Sequence, residues 1–409
     1  MGIILRLAWR NLWRHARRTW LTVSAIAFSA MLLVFMITLQ LGAYDMILDI
    51  SLRVFTGEMQ VQREGYLDKP QMRLSIPQAA TLARDLRSAT GLEAIGARAQ
   101  GFALISSGAR SYGVPVLGVE PEREQLLSTI PRVMKEGRYL ERIDAQELVL
   151  GSTLARNLKI KLGDELTLLG AGRDGSVAAT VLPVVGIFET SNPVIDRQVV
   201  QMPLASFQET FSMGRDAHLI AISGPSLRQI EDTAARVQRN LPRDQDLVLL
   251  DWERLIPGLK QIIQADMVQN WATYITLIIV VTFSIMNTFI MAVLERTREF
   301  GVMLALGATP LRIGMLLIIE SMLLAFIGLV IGVVLGGSIA VYLNIHGFTF
   351  PGLKELHAQF GLPGVIHPKL SFVSFALGPT VIFVFTLLAS LYPALRIRKL
   401  QPIAAIHST

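Results

Sequence analysis

Four long apolar runs dominate the chain, and between the first and second lies a stretch where polar and apolar positions mix. Trp20 to Leu41 contains no charged residue and, at 1.5 Å rise per residue, is long enough to cross a hydrocarbon core of about 30 Å. Trp271 to Leu294 is interrupted only by Asn287, and Ile313 to Tyr342 contains one carboxylate, Glu320. A fourth run, Phe372 to Leu391, completes the set within residues 371–392. The pattern predicts an α-helical membrane protein with four spans arranged 1 + 3, and residues 42–270 as a large domain between the first two. That stretch of roughly 230 residues is ample for a core of its own.

Inside the intervening stretch, Gln100 to Val119 reads as two strands joined by a turn at Ser107-Gly108-Ala109. Glu165 to Leu169 and Val177 to Phe188 read as two more, with a glycine-containing turn between them. Helices are expected at Pro77 to Ser88 and at Ser226 to Leu241, where Ile230, Ala234 and Val237 share a face. The domain is therefore expected to be mixed α/β.

Composition agrees with a membrane location. Hydrophobic residues make up 52% and charged residues only 17%, against about 25% charged in an average soluble domain. A mean hydropathy of +0.47 excludes intrinsic disorder and argues against a wholly soluble enzyme. With no cysteine, disulfides, thiolate nucleophiles and zinc–thiolate sites are excluded.

The formal charge of +6 reports topology. Arg6, Arg10, Arg14, Arg17 and Arg18 precede the first span with no acid among them, Arg296, Arg298 and Arg312 lie between spans two and three, and Arg396, Arg398 and Lys399 follow span four. Basic flanks stay in the cytoplasm, so both termini (residues 1–19 and 393–409) and residues 295–312 are expected there. The large domain and the loop 343–370 are then periplasmic, and nucleic acid loses its support as a partner. The first apolar run is too long for a signal peptide and lacks a small-x-small cleavage site, so it is expected to be retained. Within Ile3 to Thr19, Leu5, Trp9, Leu12 and Ala16 recur at helical spacing, with Arg6, Arg10, Arg14 and Arg17 on another face. Trp9, Trp13 and the arginines through Arg18 thus predict an interfacial helix lying on membrane lipid.

Candidate chemistry is sparse. No catalytic, cofactor or metal site is expected, since His218 is isolated and His346, His357 and His367 do not have compact ligand spacing. Gly328, Gly332 and Gly336 clear one face of the third span for close packing, within the chain or against a second permease. Glu320 lies about 12 Å along the helix from Arg312 and needs a polar partner, either another helix or a proton path. Pro379, after Gly378, could kink the fourth span.

Ala8-Trp9-Arg10-Asn11-Leu12, Leu150 through Leu158 with Leu162-Gly163-Asp164, Val185 through Phe188, Glu295 through Gly301 with Leu306-Gly307-Ala308-Thr309, and Tyr392-Pro393-Ala394 together resemble one family. It comprises the FtsX/MacB-like permeases, and the layout is most similar to its lipoprotein-releasing LolC/LolE type. The resemblance implies that Glu295, Arg296, Arg298, Glu299, Phe300 and Gly301 couple to a dimeric ATPase subunit; the residue-level alternative is a solvated reversing loop. No phosphate-cradling G-x-x-x-x-G-K-[ST] occurs, so ATP and Mg are expected on a separate polypeptide and this chain is not expected to be an enzyme. A second or homologous permease, a lipoprotein or other amphiphilic cargo, and a periplasmic carrier or adaptor follow as expected partners. Macrolide-type efflux and FtsX-like control of a cell-wall hydrolase are the alternative functions.

Overall fold

A computed structural model describes residues 2–14, 16–52, 56–190, 193–224, 229–242, 245–349 and 365–396. The chain forms two compact units, one built from Ile47–Ile262 and the other from Met1–Met46, Ile263–Thr349 and the segment from Val365 onward.

In the first unit ten strands among the described residues form one sheet: β1 (Met59–Arg63), β2 (Ile95–Ser107), β3 (Arg110–Val119), β4 (Met134–Gly137), β5 (Leu148–Gly151), β6 (Glu165–Ala171), β7 (Val177–Phe188), β8 (Val200–Pro203), β9 (Leu219–Ile222) and β10 (Leu247–Asp251). β2 and β3 form the expected hairpin, with Ser107 opposite Arg110 and Gly108 in the left-handed region at the turn. β6 pairs with both β2 and β7, and the links β2–β3–β8–β5–β7 complete a ring of six strands. Alternation puts Ala103, Ile105, Val114, Val116, Leu166, Leu168, Leu182 and Val184 in the core, while Phe102, Leu104, Val177 and Val181 stay exposed. From β2 the sheet extends through β9 and β1 to β10.

The helices of this unit are Ala79–Thr90 and Ile230–Arg239, each shifted or shorter than the periodicity suggests, with several short ones. The first ends at Gly91 in the left-handed region, whose N–H caps the Arg87 carbonyl. His218 is fully buried, accepts a hydrogen bond from the Gln100 N–H at 2.9 Å and stacks on Tyr66 with ring centroids 5.2 Å apart. Burial pushes its pKa down to about 4. It is a neutral core histidine.

The second unit has four helices long and apolar enough to cross a membrane: a first span in helix Ala16–Ser51, a second in Pro257–Glu295, a third in Pro310–His346 and a fourth in Phe372–Arg396. Each outruns its apolar stretch. The second begins well before Trp271, because Asp266 and its polar neighbours end the hydropathy without ending the i→i−4 hydrogen bonding. The fourth runs through Pro379. In the loop 343–370 the third-span helix runs on to His346 and a bridge joins Phe348 to Ile366; His357, and the tail from residue 397 with Arg398 and Lys399, lie outside the described residues.

The expected interfacial helix differs from its sequence reading. It spans Gly2–Arg14, and a new helix begins at Ala16. Of the stripe Leu5, Trp9, Leu12 and Ala16, Leu12 alone is buried. Ala8 and Leu12 are buried, Leu12 packing with Val23 and Leu324, while Leu5, Trp9 and Trp13 are exposed. The helix therefore has two apolar sides, one for protein and one left open. Trp9, Trp13 and Trp20 form an edge-to-face series on the open side, with centroids 5.9 and 6.2 Å apart.

Candidate functional site

The charged residues of the helical unit converge at one joint, whose construction starts with how the chain turns. The second long helix stops at Glu295, and Arg296 caps a short linker helix, Thr297–Ala305. The linker ends through Gly307 at φ 93°, whose N–H returns to the Leu304 carbonyl at 3.1 Å. Thr309 then stands as N-cap with Pro310 at the first helical position of the next span. Gly307 to Pro310 is thus a helix stop followed at once by a helix start. Phe300 anchors the linker: fully buried, it packs with Val293, Ile313 and Leu317.

Around that anchor the polar groups are paired. The Arg296 guanidinium donates to Glu320 at 3.0 and 3.3 Å and to Glu299 at 3.2 Å, and lies 5.2 Å from the centre of the Phe300 ring. The other partner of Glu320 is the Asn11 amide, at 2.7 Å. Arg14 pairs with Glu299 at 3.1 Å and Arg18 with Glu295 at 2.8 Å. The Thr19 hydroxyl donates to the Leu12 carbonyl at 2.5 Å, satisfying an orphan acceptor at the end of the N-terminal helix. Against the network is a cavity of about 30 Å³, lined by the hydroxyl-bearing Thr19, Thr22, Thr288 and Ser321 on one hand and by Phe289 and Leu317 on the other, roomy enough for water.

The six residues expected to couple to an ATPase thus divide. Arg296, Phe300 and Gly301 are buried and hold the linker to the third span. The helix turns that side of the linker inward and leaves Arg298 on its open side. Glu295 and Glu299 are engaged by arginines from the N-terminal segment. Arg298 is exposed and, among the described residues, makes no ion pair; it shares the linker's open surface with Val302 and Leu306, 45% and 83% exposed. Of the expected interfacial residues, Arg14 and Arg18 join the network, whereas Arg10 and Arg17 are exposed. Asn11 was not singled out by sequence reasoning. The available signal was an uncharged polar residue among the arginines of the N-terminal helix, one turn after the small Ala8 and next to Leu12.

Glu320 takes a helix-to-helix partner, and the glycine face serves packing within the chain. A Cβ on Gly328 would lie 2.8 Å from the Ile26 side chain, on Gly332 2.5 Å from the Ala27 carbonyl, and on Gly336 2.9 Å from the Met31 carbonyl. The first span is seated against the third at backbone distance. Among the described residues no group of three or more histidines and carboxylates could hold a metal.

Residues 19–240 match the MacB-like periplasmic core domain, and residues 271–402 match the FtsX-like permease C-terminal family. The chain is 28% identical over 316 residues to the lipoprotein-releasing system transmembrane protein LolE of Haemophilus influenzae, covering 75% of each. It is 20% identical to LolC of Neisseria meningitidis, again covering 75% of each. Against the macrolide export ATP-binding/permease protein MacB of Campylobacter jejuni it is 24% identical, over 98% of this chain and 60% of that one.

Proposed function

Because the chain belongs to the family of permeases that join a MacB-like periplasmic core domain to an FtsX-like C-terminal region, we propose that it is the permease of a transporter that lifts lipoproteins, or similarly lipid-anchored cargo, out of the inner membrane. It is an ABC transporter permease with membrane-spanning helices, and family members act with an ATPase subunit. The observation that carries the proposal is the charged joint. Asn11, Arg14 and Arg18 bind the N-terminal segment to Glu320, Glu299 and Glu295, so a push on the linker helix reaches the first and third spans through ion pairs and a buried phenylalanine.

In this reading both termini are cytoplasmic, ATP and Mg sit on a separate subunit, and the ATPase contacts the linker through Arg298, Val302 and Leu306. Motion passes from the linker to the first span, which continues toward the periplasmic domain. Withdrawing an acyl chain from the bilayer costs about 0.8 kcal/mol per CH₂, which accounts for an ATP-driven machine. Leu33 and Ile37 of the first span pack with Tyr274 and Ile278 of the second. A lateral entrance lined by spans one and two is therefore better placed between two permease copies than inside one. The similarity to LolE and LolC supports lipoprotein as cargo.

Depletion of this permease, with the ATPase still present, is expected to strand lipoproteins in the inner membrane; unchanged release would overturn the cargo assignment. Arg298→Glu combined with Leu306→Asp is expected to reduce ATPase copurification at least tenfold while insertion is retained. Similarity to MacB along nearly the whole chain favours one second reading, efflux through a periplasmic adaptor. Copurification of such an adaptor without lipoprotein would select it.

A further inference from the structure

The segment Leu150 to Asp164 has no part in the coupling described above, and it turns sharply between two core residues, Leu158 and Ile160. Strand β5 runs into helix Ser152–Leu158, which the chain leaves through Lys159 at φ 57° and ψ 43°. A left-handed residue at a helix C-terminus is ordinarily glycine or asparagine, because a larger side chain crowds the backbone there. A lysine in that place keeps local strain, of the kind that collects at binding sites. The turn is held firmly: the Lys159 N–H returns to the carbonyls of Ala155 and Arg156, and the Lys161 N–H donates to the Asp164 carboxylate at 2.8 Å.

These lysines border a cleft of about 590 Å³ in the β-sheet unit, which Lys135 and Arg156 also line. Its floor is apolar, with Ala155, Ile160 and Ile187 buried and Leu162 exposed at the rim. Glu136 is the single acid in the lining. Lys135 is engaged by Glu189 at 2.9 Å, and Arg156 donates to the Thr153 hydroxyl at 3.1 Å. Among the described residues Arg156, Lys159 and Lys161 make no ion pair, although Glu189, which accepts from the Ser152 hydroxyl at 3.1 Å, is near enough to feel the Arg156 charge.

Three cations outside any ion pair, beside an apolar floor, suit a ligand that is anionic at one end and hydrocarbon at the other. A hydrated ion would use only the charges, and an extended acidic peptide would find no hydrogen-bonding groups among the floor side chains. We propose that this cleft binds a phosphate-bearing amphiphile, its phosphate held by Arg156, Lys159 and Lys161 and its apolar part resting on the exposed Leu162, above the buried Ile160 and Ile187. The site is independent of the cargo assignment.

The test is calorimetric titration of the full chain, in dodecyl maltoside, which carries no phosphate, with hexyl phosphate, and with inorganic phosphate in parallel. Saturable binding of hexyl phosphate is expected, weakened at least tenfold in Arg156→Gln/Lys159→Asn/Lys161→Gln. Asparagine tolerates the left-handed backbone, and Lys161→Gln alone, an exposed change, should weaken binding severalfold with an unaltered unfolding temperature. Binding of inorganic phosphate at least tenfold weaker than hexyl phosphate points to a lipid head group as the source. Equal binding of the two, with the same loss in the variant, points to free phosphate and removes the apolar floor from the proposal. No saturable binding, an affinity unchanged in the variants, or occupation by a glutamate-rich peptide that hexyl phosphate fails to displace would overturn it.

Discussion

Each unit contains a buried arginine–carboxylate pair, and the two are built for different ends. In the β-sheet unit Arg98 grips Glu124 through two bonds of 2.8 Å, with both side chains at most 3% exposed. Gln201 reaches the same carboxylate and is itself bonded by Tyr139, whose hydroxyl pKa burial pushes well up. All four of these residues are buried. In the helical unit Arg296 and Glu320 are nearly as enclosed, but their network runs outward through Glu299 to Arg14, which is 64% exposed. A closed network fixes one arrangement, since leaving either charge unpaired is costly. An open one has outer links worth about 0–1 kcal/mol each, so they can be exchanged while the inner pair keeps the helices together. The contrast separates a staple from a joint.

The sharpest way to break that comparison is to remove one arginine at a time. Arg98→Met leaves Glu124 buried without a counter-charge and with only the long 3.4 Å bond from the Gln201 amide, for an expected loss of about 3–5 kcal/mol, seen as a lowered unfolding temperature of the purified protein. Arg98→Met/Glu124→Met should recover most of it. Arg296→Met leaves Glu320 with the Asn11 amide, so a smaller loss of stability and a larger loss of ATPase coupling are expected. Equal unfolding by the two single variants would make the joint a second staple.

A pH experiment probes the sheet unit alone. His218 has a folded pKa of about 4 against 6.5 for the free side chain, so between these values the unfolded chain binds the extra proton and folding loses stability as pH falls. The contribution present above pH 6.5 is on the order of 3 kcal/mol and is lost progressively down to about pH 4. Comparing unfolding of wild type and His218→Phe at pH 7 and pH 4.5 should show a steeper pH dependence in wild type. Identical slopes would remove the histidine from the account.

The smallest effect is expected at the outer arms. A double-mutant cycle on Arg18 and Glu295, whose side chains are 27% and 56% exposed, should return at most about 1 kcal/mol of coupling in stability. The charge-reversed pair Arg18→Glu/Glu295→Arg should restore whatever transport either single change removes. A stability coupling of several kcal/mol would show that this arm is as rigid as the buried pair.

Much of this was legible from pattern alone, since hydropathy marks spans that must satisfy their own backbone and alternation marks strands with one face in a core. The hairpin at Ser107-Gly108-Ala109 could be read because its geometry is local; the stop-and-start at Gly307 to Pro310 is equally local but was not among the expected elements. The buried side of Arg296 could not. An arginine in a short charged segment reads as solvated, and only the arrival of Glu320, 24 residues later, and of Asn11 near the other end of the chain turns it inward. The ring closed by β6 was hidden for the same reason, since strand partners depend on which distant edges meet.

By itself, then, the sequence determined four spans, an inserted α/β domain, a charged linker and a glycine face, because each follows from periodicity, residue size or charge within a short window. Tertiary structure decided which linker residues face inward, that the glycine face receives the first span of the same chain, and that the N-terminal helix divides its apolar residues between protein and open surface. Those outcomes depend on which groups approach within hydrogen-bonding or van der Waals distance from far apart in the chain, and no local pattern encodes that approach.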